Sequence, residues 1–125
     1  MNMNLEQFKA EVVVSLEPII RSFKDNATAA GYSAAKIVKE YSIRMLAEVV
    51  KAVEEHALPG FNTSEDKKAV AMKAMETFFD QVVAPRLSFG TVTIVKQVYM
   101  WACSYAIDAF VSFVNKKFSG SFSFA

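Results

Sequence analysis

The 125-residue sequence contains one cysteine, one histidine and almost no net charge. The lone Cys103 has no partner for an internal disulfide, and one Cys with one His cannot form a thiolate-rich zinc site. Lys and Arg number 14 against 13 Asp and Glu, so the chain lacks the basic surface typical of nucleic-acid-binding proteins. We therefore expect a reducing compartment, no metal or other cofactor, and no nucleic-acid partner.

The N-terminus also lacks the pattern of an export signal. The first residues carry no basic cluster, and the apolar run at 12–14 is interrupted by Ser15, Glu17 and Pro18. A secretory signal needs both a basic segment and an uninterrupted apolar run. We expect a chain that is cytoplasmic or assembled in a particle, and that is not exported through a signal peptide.

No residue pattern predicts catalysis. His56 falls at the end of a predicted helix, where the helix dipole favours an imidazolium, and the apolar neighbours of Cys103 keep a thiol inert. The adjacent acids of the pairs Glu54/Glu55 and Glu65/Asp66 point to different helix faces. Phosphate-binding glycine loops and metal-binding motifs are absent from the sequence, so we predict that the protein is not an enzyme.

The sequence is rich in apolar residues, with 53% hydrophobic residues and 11 Phe, which is enough for one folded domain. Apolar residues three and four apart predict a first helix that is kinked or broken at Pro18 and ends near Asp25. Its apolar face consists of Leu5, Phe8, Val12, Leu16, Ile19 and Phe23.

A second helix is indicated by charged residues of alternating sign on a solvent face, namely Lys36, Glu40, Arg44, Glu48, Lys51 and Glu55. Its predicted inner face consists of Ala35, Val38, Met45, Val49 and Val53, with Ile37, Tyr41 and Leu46 widening it. Gly31 marks either a close helix approach or a late start of this helix. A turn is predicted at 58–62, and Thr63 or Ser64 then caps a third helix that Pro85 ends.

A fourth helix is predicted from a cap at Thr91 to about Lys117, and most of its circumference is apolar. The stretch from Gln97 to Asn115 would span about 27 Å, close to the thickness of a bilayer core. Asp108 in the middle opposes insertion, and the other three helices each need a partner. We therefore favour a bundle that buries this helix on most sides, with Trp101, Tyr105 and Asp108 as a candidate oligomer interface.

The last eight residues form a Phe-rich tail. In an extended conformation Phe118, Phe122 and Phe124 lie on one side and the serines on the other. The pattern predicts a helical domain at 1–117 and a tail at 118–125 that docks on a protein partner. A tail that folds back over its own bundle, or that is disordered, stays open as an alternative.

Three segments carry a resemblance to a known family: the run Val-Val-Lys-Ala-Val-Glu-Glu at 49–55, Glu-Asp-Lys-Lys at 65–68, and Ala-Ile-Asp-Ala-Phe-Val at 106–111. The C-terminal half resembles that of small phage holins, which are lysis proteins. The resemblance implies a phage-like origin. Holins of this type are expected to have an N-terminal membrane span, whereas residues 5–23 here contain Lys9, Glu11, Glu17, Pro18 and Arg21.

The sequence thus predicts an all-α protein, a four-helix assembly with an extended Phe-rich C-terminal tail. Its predicted role is that of a non-catalytic structural or adaptor protein, for example a component of a phage particle. It would self-associate as a homo-oligomer and bind a protein partner through the tail. One alternative is a membrane-active, holin-like protein with residues 92–115 as the inserted helix. A second alternative is a carrier of an apolar ligand between the helices.

Overall fold

The computed structural model describes residues 5–56 and 64–118. These residues form four helices, α1 (Leu5–Ala30), α2 (Ala34–His56), α3 (Ser64–Phe78) and α4 (Val92–Phe118), and no strand. The all-α, four-helix prediction is confirmed. The predicted turn at 58–62, the Thr63 cap and tail residues 119–125 lie outside the described ranges.

The first helix continues through Pro18 and beyond Asp25, so the predicted end near Asp25 is wrong, and no break occurs at Pro18. The Asp25-Asn26 pair offers N-cap side chains but nothing that stops a helix. The helix ends at Gly31, which has φ 67°. The Gly31 N–H donates to the Thr28 carbonyl at 3.1 Å, and the Tyr32 N–H donates to the Ala27 carbonyl at 3.0 Å. This bonding pattern is a Schellman motif, in which glycine adopts the left-handed conformation at low cost.

The second helix begins directly after Ser33, whose Oγ accepts a hydrogen bond from the Lys36 N–H at 3.2 Å. The structure therefore selects the late-start reading of Gly31. The solvent face is as predicted, with Lys36 Nζ 3.0 Å from Glu40 Oε1. At the start of α2 the buried face differs from the predicted one by one residue. Ala34 and Ile37 are buried, whereas the predicted Ala35 is exposed.

The third helix passes into a π turn at Phe79–Val83 and then a 3-10 turn at Ala84–Arg86. Pro85 has no N–H to bond back to the preceding turn, so the α-helix cannot continue there. The Ala84 N–H reaches back five residues to the Phe79 carbonyl. The extra residue in this turn keeps neighbouring apolar side chains inside, and Phe78, Phe79, Val82 and Val83 are all buried.

The core lies between α1, α2 and α3. Phe23 of α1 stacks on Tyr41 of α2, with ring centroids 4.7 Å apart, and meets Phe78 of α3 edge-on at 6.4 Å. Three aromatic rings therefore join the three helices at one level of the bundle. Other fully buried members of the core are Phe8, Leu16, Ile20, Ile37, Met45, Val49, Val50 and Met75.

The fourth helix packs against α3 and the edge of α2 with one side only, through Tyr99, Cys103, Ile107 and Val111. Over residues 92–112 the predicted burial on most sides is wrong, because the opposite side stays exposed. The predicted cap is also wrong: Thr91 ends a 3-10 turn at Phe89–Thr91, and its hydroxyl donates to the Ser88 carbonyl at 2.9 Å. Within the described ranges, no helix combines the length and hydropathy needed to cross a bilayer.

Candidate functional site

The outer side of α4 carries four large apolar side chains that nothing in the described structure covers. Ile94, Val98, Trp101 and Tyr105 are 66%, 62%, 65% and 65% exposed. Their spacing of four, three and four residues places them on one face of the helix. The rings of Trp101 and Tyr105 meet edge to face with centroids 4.9 Å apart. We call these four residues the α4 stripe.

Polar contacts hold the opposite side of α4 against the bundle. Lys96 Nζ lies 3.2 Å from Glu76 Oε2 and 3.0 Å from Asp80 Oδ1. From the edge of the outer side, Asp108 Oδ2 reaches back to Lys68 Nζ on α3 at 2.8 Å. The hydrogen bond from Lys96 to Asp80 raises the pKa of Lys96. These pairs fix the rotation of α4 about its axis, so the stripe faces away from α3.

A buried polar contact adds to this rotational restraint. The Tyr99 hydroxyl lies 2.8 Å from Ser42 Oγ on α2, and the Tyr99 ring packs on Phe79 with centroids 5.1 Å apart. Burial raises the pKa of the Tyr99 hydroxyl, so this group stays protonated. A hydroxyl pair of this kind is satisfied only when Tyr99 points inward.

Cys103 lies one turn from Tyr99 and is buried. Burial raises the pKa of its thiol to about 11, so at pH 8 roughly one molecule in a thousand carries the reactive thiolate. We expect a disulfide reagent such as dithionitrobenzoate to label the native chain far more slowly than the urea-unfolded chain at pH 8. Equal labelling rates would show that this side of α4 opens freely in the native state.

The surface around the α4 stripe carries almost no charge. Gln97 and Ser104 border it on one side and Ala102 and Ala109 on the other. The one ionic side chain between residues 92 and 107 is Lys96, which is turned toward Glu76 and Asp80. An uncharged apolar strip meets no like-charge repulsion when it contacts an identical strip.

The structure brings the predicted interface residues Trp101, Tyr105 and Asp108 together on the outer side of α4. The Asp108 side chain is 65% exposed and pairs with Lys68. Sequence reasoning missed Ile94 and Val98, although their spacing to Trp101 and Tyr105 is the four-three repeat of a helix-pairing seam. That repeat is the signal that could have identified them.

The predicted tail contacts are not placed by the structure. Phe118 is the last residue of α4, and nothing is described of its side chain; Phe122 and Phe124 lie outside the described ranges. Their role in partner binding stays a prediction.

Two of the side chains considered for chemistry, those of His56 and Glu54, have structural partners. His56 Nδ1 lies 2.8 Å from the Ala52 carbonyl oxygen and donates to it. Glu54 pairs with Lys67 on α3 at 3.0 Å and so is turned away from its neighbour Glu55. Among the residues described, no group of three or more His, Cys, Asp or Glu is arranged to hold a metal ion.

A surface cleft of about 560 Å³ lies between α1 and α2 and is lined by Ile19, Phe23 and Ala47, with Arg44 and Glu48 among its walls. Its lining is mostly apolar, but the cleft is open to solvent on the surface and does not form the enclosed space between helices that the carrier alternative expects. The carrier alternative stays a prediction from the sequence.

Comparisons with known proteins add no family: no family model matches the chain, and no match was found among curated proteins or solved structures. The resemblance to small phage holins therefore stays a prediction from the three sequence segments, and the functional argument depends on the geometry of the chain itself.

Proposed function

We propose that this chain is a non-catalytic helical structural or adaptor protein that self-associates through the α4 stripe. The observation that carries this proposal is the exposure of Ile94, Val98, Trp101 and Tyr105 on one face of an otherwise well-packed bundle. Contiguous exposed apolar surface of this kind marks interaction sites in folded proteins.

The energetic argument follows from what the four side chains gain when covered. Burying a large apolar side chain from full exposure contributes about 1.5–3 kcal/mol, so residues that are about two-thirds exposed gain about 1–2 kcal/mol each. Trp and Tyr at the centre of a contact are the residue types most often found to dominate binding energy. Trp101 lies near the middle of the stripe and is the expected anchor.

The chemistry of the border favours a protein surface over a lipid surface. Helices that lie on membranes combine an apolar face with Lys and Arg on the polar face. The α4 stripe is bordered by Gln97, Ser104 and two alanines, and by Asp108 at one end. These groups fit a protein contact, and a second copy would bring the same uncharged glutamine, serine and alanine side chains to both sides of the stripe.

Matched variants test the proposal, because the chain has two isoleucines of equal exposure. Ile94 lies in the stripe and Ile43 on the outer side of α2, and both are 66% exposed. We expect the wild-type chain to sediment as a discrete oligomer without detergent, Ile94→Glu to shift it to monomer, and Ile43→Glu to leave its mass unchanged. A monomeric wild-type chain, or equal effects of the two variants, would reject the stripe as the contact. Flotation of the chain with liposomes would point to lipid as the occupant.

The predicted tail contact forms a second part of the proposal. Phe118, Phe122 and Phe124 would bind a different protein, as in a component of a phage particle, and this part depends on the period-two pattern of the sequence alone. Because α4 runs to Phe118, the stripe and the tail belong to one continuous C-terminal segment. The adaptor would then combine self-association and partner binding in that segment.

A further inference from the structure

We propose that the occupant of the α4 stripe is a second copy of this chain whose α4 runs antiparallel, with a two-fold axis passing between Val98 and Trp101. This inference depends on the proposed self-association and adds its geometry. The spacing of the stripe fixes the pairing: Trp101 faces Val98 of the second copy, and Tyr105 faces Ile94. The bundles then lie on opposite sides of the paired helices, because Tyr99 and Cys103 face the bundle.

The sizes of the side chains favour the antiparallel arrangement. It places each aromatic residue of the stripe against an aliphatic one, so that the seam has an even thickness along its length. A parallel, in-register pair would place Trp101 on Trp101 and Val98 on Val98. The two large rings would then force the helices apart at one level, and the two small side chains would leave a gap at the next. A self-complementary surface of this kind is what a two-fold dimer requires.

The charges favour the same arrangement. Asp108 continues the four-three spacing of the stripe beyond Tyr105 and is 65% exposed at its side chain. In a parallel pair the two Asp108 carboxylates would lie at the same level of the seam, and only the ion pair of each with Lys68 of its own chain, at 2.8 Å, would offset their repulsion. In the antiparallel pair Asp108 faces Thr91 of the second copy, whose exposed side chain carries no charge.

Cysteine crosslinking tests the direction of the helices. In a Cys103→Ala background, the double variant Ile94→Cys/Tyr105→Cys is expected to oxidise to a covalent dimer of twice the chain mass. The two positions are about 16 Å apart within one helix, too far for a disulfide inside one chain. The single variant Ile94→Cys is expected to stay at the mass of one chain under the same oxidation, because the antiparallel pair separates its two copies by a similar distance.

The outcomes distinguish the geometry from the association itself. A covalent dimer from the single Ile94→Cys variant shows parallel helices and overturns this inference while leaving self-association intact. An oligomeric wild-type chain whose double variant gives no covalent dimer overturns the proposed register. A monomeric wild-type chain overturns both proposals. Circular dichroism of each variant confirms that the helices are retained.

Discussion

Replacing Phe78 by alanine is expected to lower the free energy of unfolding by about 3–5 kcal/mol, the usual cost of removing a buried phenyl ring. Phe78 ends α3, is fully buried and packs edge-on against Phe23, which stacks on Tyr41. The substitution leaves a cavity where α1, α2 and α3 meet. For a chain of this size the loss corresponds to a fall in Tm of roughly 10–20 °C, which thermal unfolding followed by circular dichroism would measure.

The control is the same substitution at Phe89, which is fully exposed. Phe89→Ala removes a ring that is already in water. It should change the free energy of unfolding of the single chain by no more than about 0.5 kcal/mol, so that its Tm stays nearly unchanged. The measurement is made at a chain concentration where the variant and the wild type have the same solution mass. If Phe78→Ala were as mild as Phe89→Ala, the junction between α3 and the π turn would not be part of the core.

The four helices could be predicted because their apolar spacing is regular and long. Their ends were less predictable: Asp25 and Asn26 are favourable N-cap types, yet α1 runs on to Ala30. Between Pro18 and Gly31 no residue stops a helix. Pro18 itself did not end the helix. The π turn at Phe79–Val83 depends on how several apolar side chains fit the core at once, and no local pattern specifies it.

The orientation of α4 could not be predicted because the helix is apolar on nearly every side. The sequence offers two candidate inner faces, one with Tyr99, Cys103 and Ile107 and one with the stripe residues Val98 and Trp101. The contacts that decide between them come from other helices: Glu76 and Asp80 attract Lys96, and Ser42 meets the Tyr99 hydroxyl. The sequence named Trp101 and Tyr105 as part of a candidate interface, but the exposure of the whole stripe followed only from the contacts that hold the other face of α4.

The buried ion pair between Lys67 and Glu54 could not be predicted from the sequence either, because Lys67 lies in the first turn of α3 among other charged residues. Its side chain is 3% exposed, and its Nζ lies 3.0 Å from Glu54 Oε1 at the end of α2. The pair connects the end of α2 with the start of α3, on either side of residues 57–63. It therefore fixes where α3 begins relative to α2 independently of the connecting residues.

Glu54→Ala is expected to lower the free energy of unfolding by about 3 kcal/mol, because it leaves the Lys67 ammonium buried without this carboxylate. This value is at the lower end of the range for breaking a buried ion pair, because the Glu54 side chain is 21% exposed. Urea unfolding at pH 7, fitted with a common slope, measures the change.

The neighbouring acid supplies the control, because Glu55 is exposed on the same turn. Glu55→Ala should change the free energy of unfolding by a few tenths of a kcal/mol at most. The double variant Glu54→Ala/Lys67→Met removes both charges and should recover most of the lost stability, since an apolar pair in the same space carries no desolvation cost. If the double variant were as unstable as Glu54→Ala, lost packing rather than the loss of the carboxylate beside Lys67 would explain the effect. If Glu54→Ala matched Glu55→Ala, the pair would not hold α2 and α3 together.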